Sequence, residues 1–267
     1  MPSKEPLERV SAQRAEGGFA RTVTETLANE VAVAMEYNGR SHAVMLATPA
    51  DLEDFAVGFS VTEGIVRKAN EVELGTPLWT AHGVALPMKI PEVRFALLAT
   101  RERNLTGRTG CGLCGTSTLE AAIRPVRRVA ESAQPVGTRL TEATLRDAMV
   151  RLATMQPLNE ASGAVHAAAL LTTDGEFTVR EDVGRHNAID KVAGAVLRAG
   201  KVPHSLLVTS RASYEVVHKA AEVGCSLVAA ISAPTALAVQ LAEQAGLTLV
   251  GWARPPRLTV YCGQMAR

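Results

Sequence analysis

The chain has 267 residues, 47% of them hydrophobic and 21% charged, with a formal net charge of +1 at neutral pH. This is the composition of a folded protein with room for one large domain or two modest ones, and it excludes a fibrous or largely disordered chain. A near-zero net charge gives no general electrostatic drive toward nucleic acid or an anionic membrane, because such binding grows with the number of phosphates neutralised. The cysteines at 111, 114, 225 and 262 do not make a secreted disulfide framework, and residues 1–20 hold no apolar core of the signal-peptide type. Charged residues interrupt every apolar run before it reaches membrane-spanning length. The expectation is a protein of the reducing cytoplasm, bound neither to a membrane nor to nucleic acid.

Residues 1–21 are polar and lack sustained periodicity, which predicts a flexible leader. Apolar runs at 31–37 and 41–46 flank Asn38-Gly39, the pattern of a two-residue hairpin. Thr48-Pro49-Ala50-Asp51 reads as a helix cap with proline at the first helical position, opening a helix through Phe55 and Phe59. Strands are expected at 83–90 and 93–99, so residues 22–107 form a small α+β subdomain. The cysteine pair follows in Arg108-Thr109-Gly110-Cys111-Gly112-Leu113-Cys114-Gly115. A helix is predicted over 142–155, with Leu145, Met149 and Leu152 at helical spacing. Asp174-Gly175 marks a second hairpin between 166–172 and 176–180. Helices at 188–199, 213–223 and 235–245 then alternate with strands at 205–209, 226–232 and 247–252. That alternation predicts a mostly parallel sheet covered by helices, an α/β three-layer domain over 108–267 with the cysteine loop at its start.

The cysteine loop has the features of a reactive site. Gly110, Gly112 and Gly115 remove bulk around the two sulfurs, leaving room for a large partner. Ser117-Thr118-Leu119-Glu120 has capping-box spacing, so a helix is expected to begin near Ser117 with its unpaired amides toward the cysteines. That helix end, with Arg101, Arg103 and Arg108, favours thiolate at Cys111 or Cys114. Residues 101–139 hold seven arginines and three glutamates, a surplus of four positive charges. An anionic ligand and a solvated basic face both fit that surplus.

Ligands of open α/β sheets bind beyond the carboxyl ends of the strands. Those ends carry Ser210-Arg211, Ser232-Ala233-Pro234-Thr235 and Trp252-Ala253-Arg254-Pro255-Pro256-Arg257, while the hairpin delivers Asp182, Arg185, His186 and Asn187. Arg185, Arg211, Arg254 and Arg257 with helix-start amides suit phosphates, and Trp252 suits stacking on a base. Beside these readings stand plainer ones: Ser213 and Asn187 as caps, Trp252 as core, the arginines as solvated charges.

Residues 107–115, Glu181-Asp182-Val183-Gly184-Arg185-His186-Asn187-Ala188-Ile189-Asp190-Lys191 and Ser210-Arg211-Ala212-Ser213-Tyr214-Glu215 together resemble the FdhD family. The combination and order of the three blocks carry the likeness, which extends over about residues 30–261. The resemblance implies a sulfurtransferase that takes sulfane sulfur from a cysteine desulfurase as a persulfide. It would pass that sulfur to the molybdenum or tungsten centre of formate dehydrogenase, held by two pterin guanine dinucleotides. It implies Cys111 as the carrier and Cys114 as the second thiol, and Trp252, Ala253, Arg254, Pro255, Pro256 and Arg257 as the cofactor-binding segment. Ser210, Arg211, Asp182, Arg185 and His186 join that cofactor set. The second half is expected to resemble the cytidine deaminase fold, and the protein to form a homodimer. Many relatives continue past the last strand with Thr-His-Pro, where this chain reads Cys262-Gly263-Gln264.

Rival chemistries fit less well. A zinc deaminase needs His-x-Glu, and the residues two beyond the six histidines are Val44, Val84, Ala168, Ala188, Leu206 and Ala220. A structural zinc site wants four ligands, and neither a second CxxC nor a paired histidine motif supplies them. A thioredoxin-like exchanger would place its CxxC in a βαβ context that does not follow here. A non-catalytic binding protein for the cofactor remains the alternative. Cys225, before an apolar strand, is expected in the core.

Overall fold

The computed structural model describes residues 2–103, 125–129, 140–254 and 256–266. Its first elements are strands β1 (Leu7–Glu16) and β2 (Phe19–Ala28), paired antiparallel from Leu7↔Ala28 to Glu16↔Phe19. This corrects the expected leader. Polar residues occupy both faces of the ribbon, so no periodicity announces it. The signal is Gly17-Gly18, whose φ angles of 60° and 85° are those of a tight hairpin turn.

Strands β3 (Val31–Tyr37) and β4 (Arg40–Ala47) form the Asn38-Gly39 hairpin, with φ of 47° and 81° at the turn. Helix α1 (Leu52–Thr62) begins later than the sequence suggests, behind Asp51 in the left-handed region at φ 53°. Thr48 is not its cap: it is fully buried and bonded to the second half of the chain. Strands β5 (Glu73–Leu74), β6 (Leu78–Thr80) and β7 (Gly83–Lys89) follow. Residues 93–99, expected as a strand, lie in helix α2 (Glu92–Arg103), whose first turn closes when Phe95 N donates to Pro91 O at 3.0 Å. The apolar run Phe95–Leu98 suits either state, and the proline decides it as a helix start.

The second half contains α3 (Glu142–Thr154), α4 (Pro157–Ser162), β8 (His166–Thr172), β9 (Phe177–Asp182), α5 (Arg185–Arg198), β10 (Pro203–Val208), α6 (Tyr214–Glu222), β11 (Leu227–Ala230), α7 (Ala236–Ala245), β12 (Thr248–Arg254) and β13 (Arg257–Cys262). Their sheet runs β13-β12-β11-β10-β8-β9. Only the β10–β11 and β11–β12 pairs are parallel; β8, β9 and β13 pair antiparallel. The sheet is therefore mixed rather than mostly parallel, because two hairpins fold strands back onto its edges. Helix α5 starts at Arg185, three residues earlier than its apolar pattern indicates.

Alternation along β10 divides the interior. Leu207 faces Leu145, Met149 and Leu152 of α3, while Leu206 and Val208 face the layer of α5, α6 and α7. On the far side of that layer, α1 packs on α5 and on the sheet β4-β3-β7-β5. One apolar cluster runs through both sheets, from Val33 and Met35 to Leu206 and Val228. The α1–α5 crossing is backbone to backbone: a Cβ on Gly58 would lie 1.7 Å from Asp190 O, and one on Gly194 1.8 Å from Asp54 O. Among the described residues no helix is long and apolar enough to cross a membrane.

Ion pairs, buried at Lys219–Asp190 and partly exposed at Arg180 and Arg198, stitch the same junction. Lys219 Nζ donates to Asp190 Oδ1 and to Glu63 Oε1, each at 2.8 Å, and Thr62 Oγ1 donates to Asp190 Oδ1 at 2.6 Å. Arg180 and Arg198 both reach the Asp54 carboxylate. Charges taken out of water persist when paired and hydrogen-bonded, and these pairs link residues near the start of the chain to the second sheet and its helices.

Candidate functional site

The carboxyl ends of β10, β11 and β12 lie side by side and are tied by backbone hydrogen bonds. Ile231 N donates to Val208 O at 3.2 Å, Thr235 N to Ala212 O at 3.0 Å, and Trp252 N to Ser232 O at 3.1 Å. Main-chain groups leaving the sheet need partners, and here they find them in one another, producing a continuous rim. Trp252 occupies it with φ of 53°, a left-handed conformation that is costly for a bulky residue. The register slips between Gly251 and Arg254, so the strand bulges there and re-aims the indole. A Cβ at Gly251 would lie 2.8 Å from Pro234 Cδ, so only glycine fits beneath the bulge.

Arg254 and Arg257 are paired across the β12–β13 hairpin. Their guanidinium carbons lie 5.8 and 4.6 Å from the Trp252 ring centroid, within cation–π reach. Both are exposed, as are Arg211 and Pro256. Ala253 is instead core, 2% exposed and packed with the α3 side of the sheet. Ser210 is largely buried, its hydroxyl donating to Arg211 O at 3.0 Å.

The start of α5 presents Arg185 and His186. His186 Nε2 lies 2.8 Å from Glu215 Oε2 of α6. Asp182 is built into the turn before α5. It is fully buried and accepts from Thr48 N at 3.0 Å, Gly184 N at 2.7 Å and Asn187 Nδ2 at 2.9 Å, with Lys191 Nζ at 2.6 Å. The carboxylate thereby sets the turn from which Arg185 and His186 emerge. Asn187 is held there too, its Nδ2 also donating to Leu46 O at 2.8 Å.

His166 opens β8, opposite Asp182 in register. Burial, with Arg185 and His186 nearby, holds its imidazole below the ordinary range, so it is neutral at neutral pH. It shares a cleft of about 390 Å³ with Thr209 and Ile231 of the rim and Gln156 and Asn159 of the α3–α4 corner. Glu181 fixes that corner by accepting from Leu158 N and Asn159 N at 2.9 and 2.8 Å.

The rim thus joins Arg211, Trp252, Arg254 and Arg257. Cys111, Cys114 and Pro255, with the expected helix start near Ser117, lie outside the described residues. Sequence reading missed Thr48, Lys191, Gln156 and Asn159. These are common residues whose roles arise only from contacts between distant segments. Cys225 is core as expected: it is 0% exposed, and burial pushes its thiol pKa up. Cys262 is half-buried on β13, its Sγ 3.4 Å from Leu247 O.

Fold and rim together define a mixed α/β protein with arginines and an indole gathered at its strand ends. Residues 28–266 match the FdhD/NarQ family, and the chain belongs to it. It is 52% identical over 246 residues to the sulfur carrier protein FdhD of Cupriavidus necator, covering 89% of this chain and 82% of the relative. Identity to the sulfur carrier protein FdhD of Xanthomonas euvesicatoria pv. vesicatoria is 47% over 254 residues, 94% of this chain and 89% of the relative. The fold is also that of a solved structure described as a formate dehydrogenase accessory protein from Desulfotalea psychrophila. The TM-score is 0.70 at 23% identity, with 97% of this chain and 98% of that one covered.

Proposed function

We propose that this chain is a sulfur carrier that serves formate dehydrogenase in the reducing cytoplasm. The Cys111 thiolate attacks the outer sulfur of a cysteine desulfurase persulfide. A new S–S bond forms on Cys111 as the desulfurase S–S bond breaks, and the desulfurase cysteine leaves as thiolate. The Cys114 thiolate then attacks the Cys111 sulfur, forming a Cys111–Cys114 disulfide and releasing the outer sulfur as sulfide to a molybdenum or tungsten centre held by two pterin guanine dinucleotides, which is the substrate of the transfer; the disulfide is reduced again by the thiols of the cytoplasm. Cys114 is the second thiol of the loop, and the working unit is a homodimer. Arg211, Arg254, Arg257 and Arg185 supply positive charge for the dinucleotide phosphates, and Trp252 supplies a stacking face.

The observation that carries this reading is the likeness to sulfur carrier proteins over nearly the whole chain, at up to 52% identity. The collection of an indole and three arginines on one rim supports it. The competing reading is a cofactor-binding chaperone without sulfur chemistry, favoured by the same rim. Mass spectrometry after incubation with a cysteine desulfurase and cysteine separates the two. The carrier reading expects one reducible added sulfur on Cys111, lost in Cys111→Ala. A protein that stays unmodified at both loop cysteines is the chaperone instead.

A further inference from the structure

The β1–β2 ribbon is held to the rest of the molecule at its base. Asn29 N donates to Pro6 O at 2.9 Å, Asn29 Nδ2 to Glu5 O at 3.0 Å, and Lys4 Nζ lies 5.3 Å from the Trp79 ring centroid. Toward the turn it is bare: residues 13–22 are all exposed, Phe19 at 82%. A two-stranded hairpin with so little burial is marginal in water, and a third strand is the usual remedy. Strand β2 lies against α4, which leaves β1 outermost, and among the described residues β1 pairs with β2 alone. Its register runs from Leu7 to Glu16 without a bulge, and the strand holds neither proline nor lysine. Those are the devices that normally keep an edge strand from pairing with another chain, so this edge is competent to pair.

The turn decides which backbone groups that edge offers. Gly17 and Gly18, both at positive φ, make a two-residue turn whose flanking pair, Glu16 and Phe19, is hydrogen-bonded. Hydrogen-bonded and open pairs alternate from there, so the even-numbered residues of β1 bond β2 and the odd ones, Leu7 to Ala15, turn N–H and C=O outward. A second β1 added antiparallel must therefore match odd residues with odd. Centred on Ser11, it sets Ser11 against Ser11, Glu8 against Arg14 and Val10 against Ala12, and the last two pairs occur twice by symmetry. Centred on Ala12 it sets Glu8 against Glu16, and centred on Val10 it brings no opposite charges together within the strand. The Ser11 register makes about ten main-chain hydrogen bonds, the number found in a specific interface. Glu8–Arg14 and Val10–Ala12 fall at its non-hydrogen-bonded positions, where facing side chains lie closest. Arg14 is already paired with Glu25, and its guanidinium has donors for both carboxylates.

We propose that the outer edge of β1 pairs antiparallel with β1 of a second copy of this chain, centred on Ser11, so that the two ribbons form one four-stranded sheet. The assignment rests on the homodimer reading and names the surface that joins the copies. The occupant is a second copy because the edge complements itself: one charge pattern supplies both the carboxylates and the guanidiniums of the pairing.

The test is sedimentation velocity of the full chain over a range of concentrations, where the parent is expected to dimerise. Ser11→Pro removes an N–H that points away from β2, so it is expected to leave a monomer with the parent circular dichroism. Glu8→Arg and Arg14→Glu each set like charges opposite one another twice and are expected to weaken self-association about tenfold. Mixed in equal amounts, the two variants are expected to recover the parent affinity, since each chain then supplies the charge that the other lacks. Glu8→Arg and its mixture carry the test should Ser11→Pro fail to fold. A dimer unmoved by Ser11→Pro and by Glu8→Arg is joined through another surface, which overturns the ribbon assignment and leaves the homodimer reading standing. A parent that stays monomeric overturns both. Single variants that weaken the dimer without recovery on mixing overturn the Ser11 register, and the proposal with it.

Discussion

Replacing Lys191 with methionine keeps most of the buried stem and deletes the charge at its end. The ammonium is 2.6 Å from Asp182 Oδ2 and donates to Thr48 O at 2.9 Å, and both charged side chains are fully buried. Removing one partner of a buried pair typically costs about 3–5 kcal/mol, because the other charge stays behind without compensation. Asp182 still accepts three N–H bonds, from Thr48, Gly184 and Asn187, which places the loss near the lower end, about 3 kcal/mol. Against a total stability of about 5–15 kcal/mol, that is a large fraction. Urea unfolding followed by circular dichroism reads it as a lowered midpoint, shifted by roughly 1 M for a slope of about 3 kcal/mol/M. Asp182→Asn alone is also destabilising, since it strands the ammonium. The Lys191→Met/Asp182→Asn double variant loses less than the sum of the two, because no isolated charge remains. Sulfur loading of Cys111 per folded molecule is expected to stay at the parent level, since Asp182, Lys191 and Thr48 order a turn. A loss under about 1 kcal/mol for Lys191→Met, or strict additivity in the double variant, would refute the argument that this pair holds the junction.

Two further perturbations probe the same architecture. Gly58→Ala places a methyl 1.7 Å from Asp190 O and 2.8 Å from Gly194 N, so α1 and α5 must separate. Overpacking of that kind costs about 3 kcal/mol, and a melting temperature within about 2 °C of the parent would show that the crossing yields instead. His204 is 5% exposed, its Nε2 has no hydrogen bond among the described residues, and burial holds its pKa below the ordinary 6.5. The unfolded chain then binds the proton more readily, so stability is full above pH 6.5 and declines as pH falls toward the depressed value. His204→Leu is expected to flatten the fall in urea midpoint between neutral and mildly acid pH, and an unchanged slope removes His204 as its source.

Local turn chemistry and periodicity made part of this fold legible. Asn38-Gly39 and Asp174-Gly175 mark real hairpins, the first a two-residue turn with both residues at positive φ and the second a three-residue turn, Thr173-Asp174-Gly175, closed by Gly175 at φ 88°, because such turns demand a backbone that few residues adopt. Thr235 and Gly246 bound α7 as their capping chemistry predicts: the Thr235 hydroxyl accepts from Ala238 N, and Gly246 takes φ 73°. Where the cue was ambiguous the reading failed. The β1–β2 ribbon is polar on both faces, 93–99 is apolar in a way that suits helix or strand, and Thr48 has the form of a cap but is used elsewhere.

The chemical inventory of the site was present in the sequence by itself: the glycine-rich cysteine pair, the arginines and tryptophan at the strand ends, and the family blocks that carry them. Composition and short-range geometry suffice for these, because each depends on residue type and near spacing. Only the tertiary structure decided which of them meet. It buried Asp182 against Lys191 and Thr48, Thr48 lying 134 positions from the carboxylate its N–H meets, and it packed Ala253 in the core. It also brought the carboxamides of Gln156 and Asn159 beside His166 and Thr209. Contacts of that range depend on how two sheets share one layer of helices, and no local pattern of residues encodes that packing.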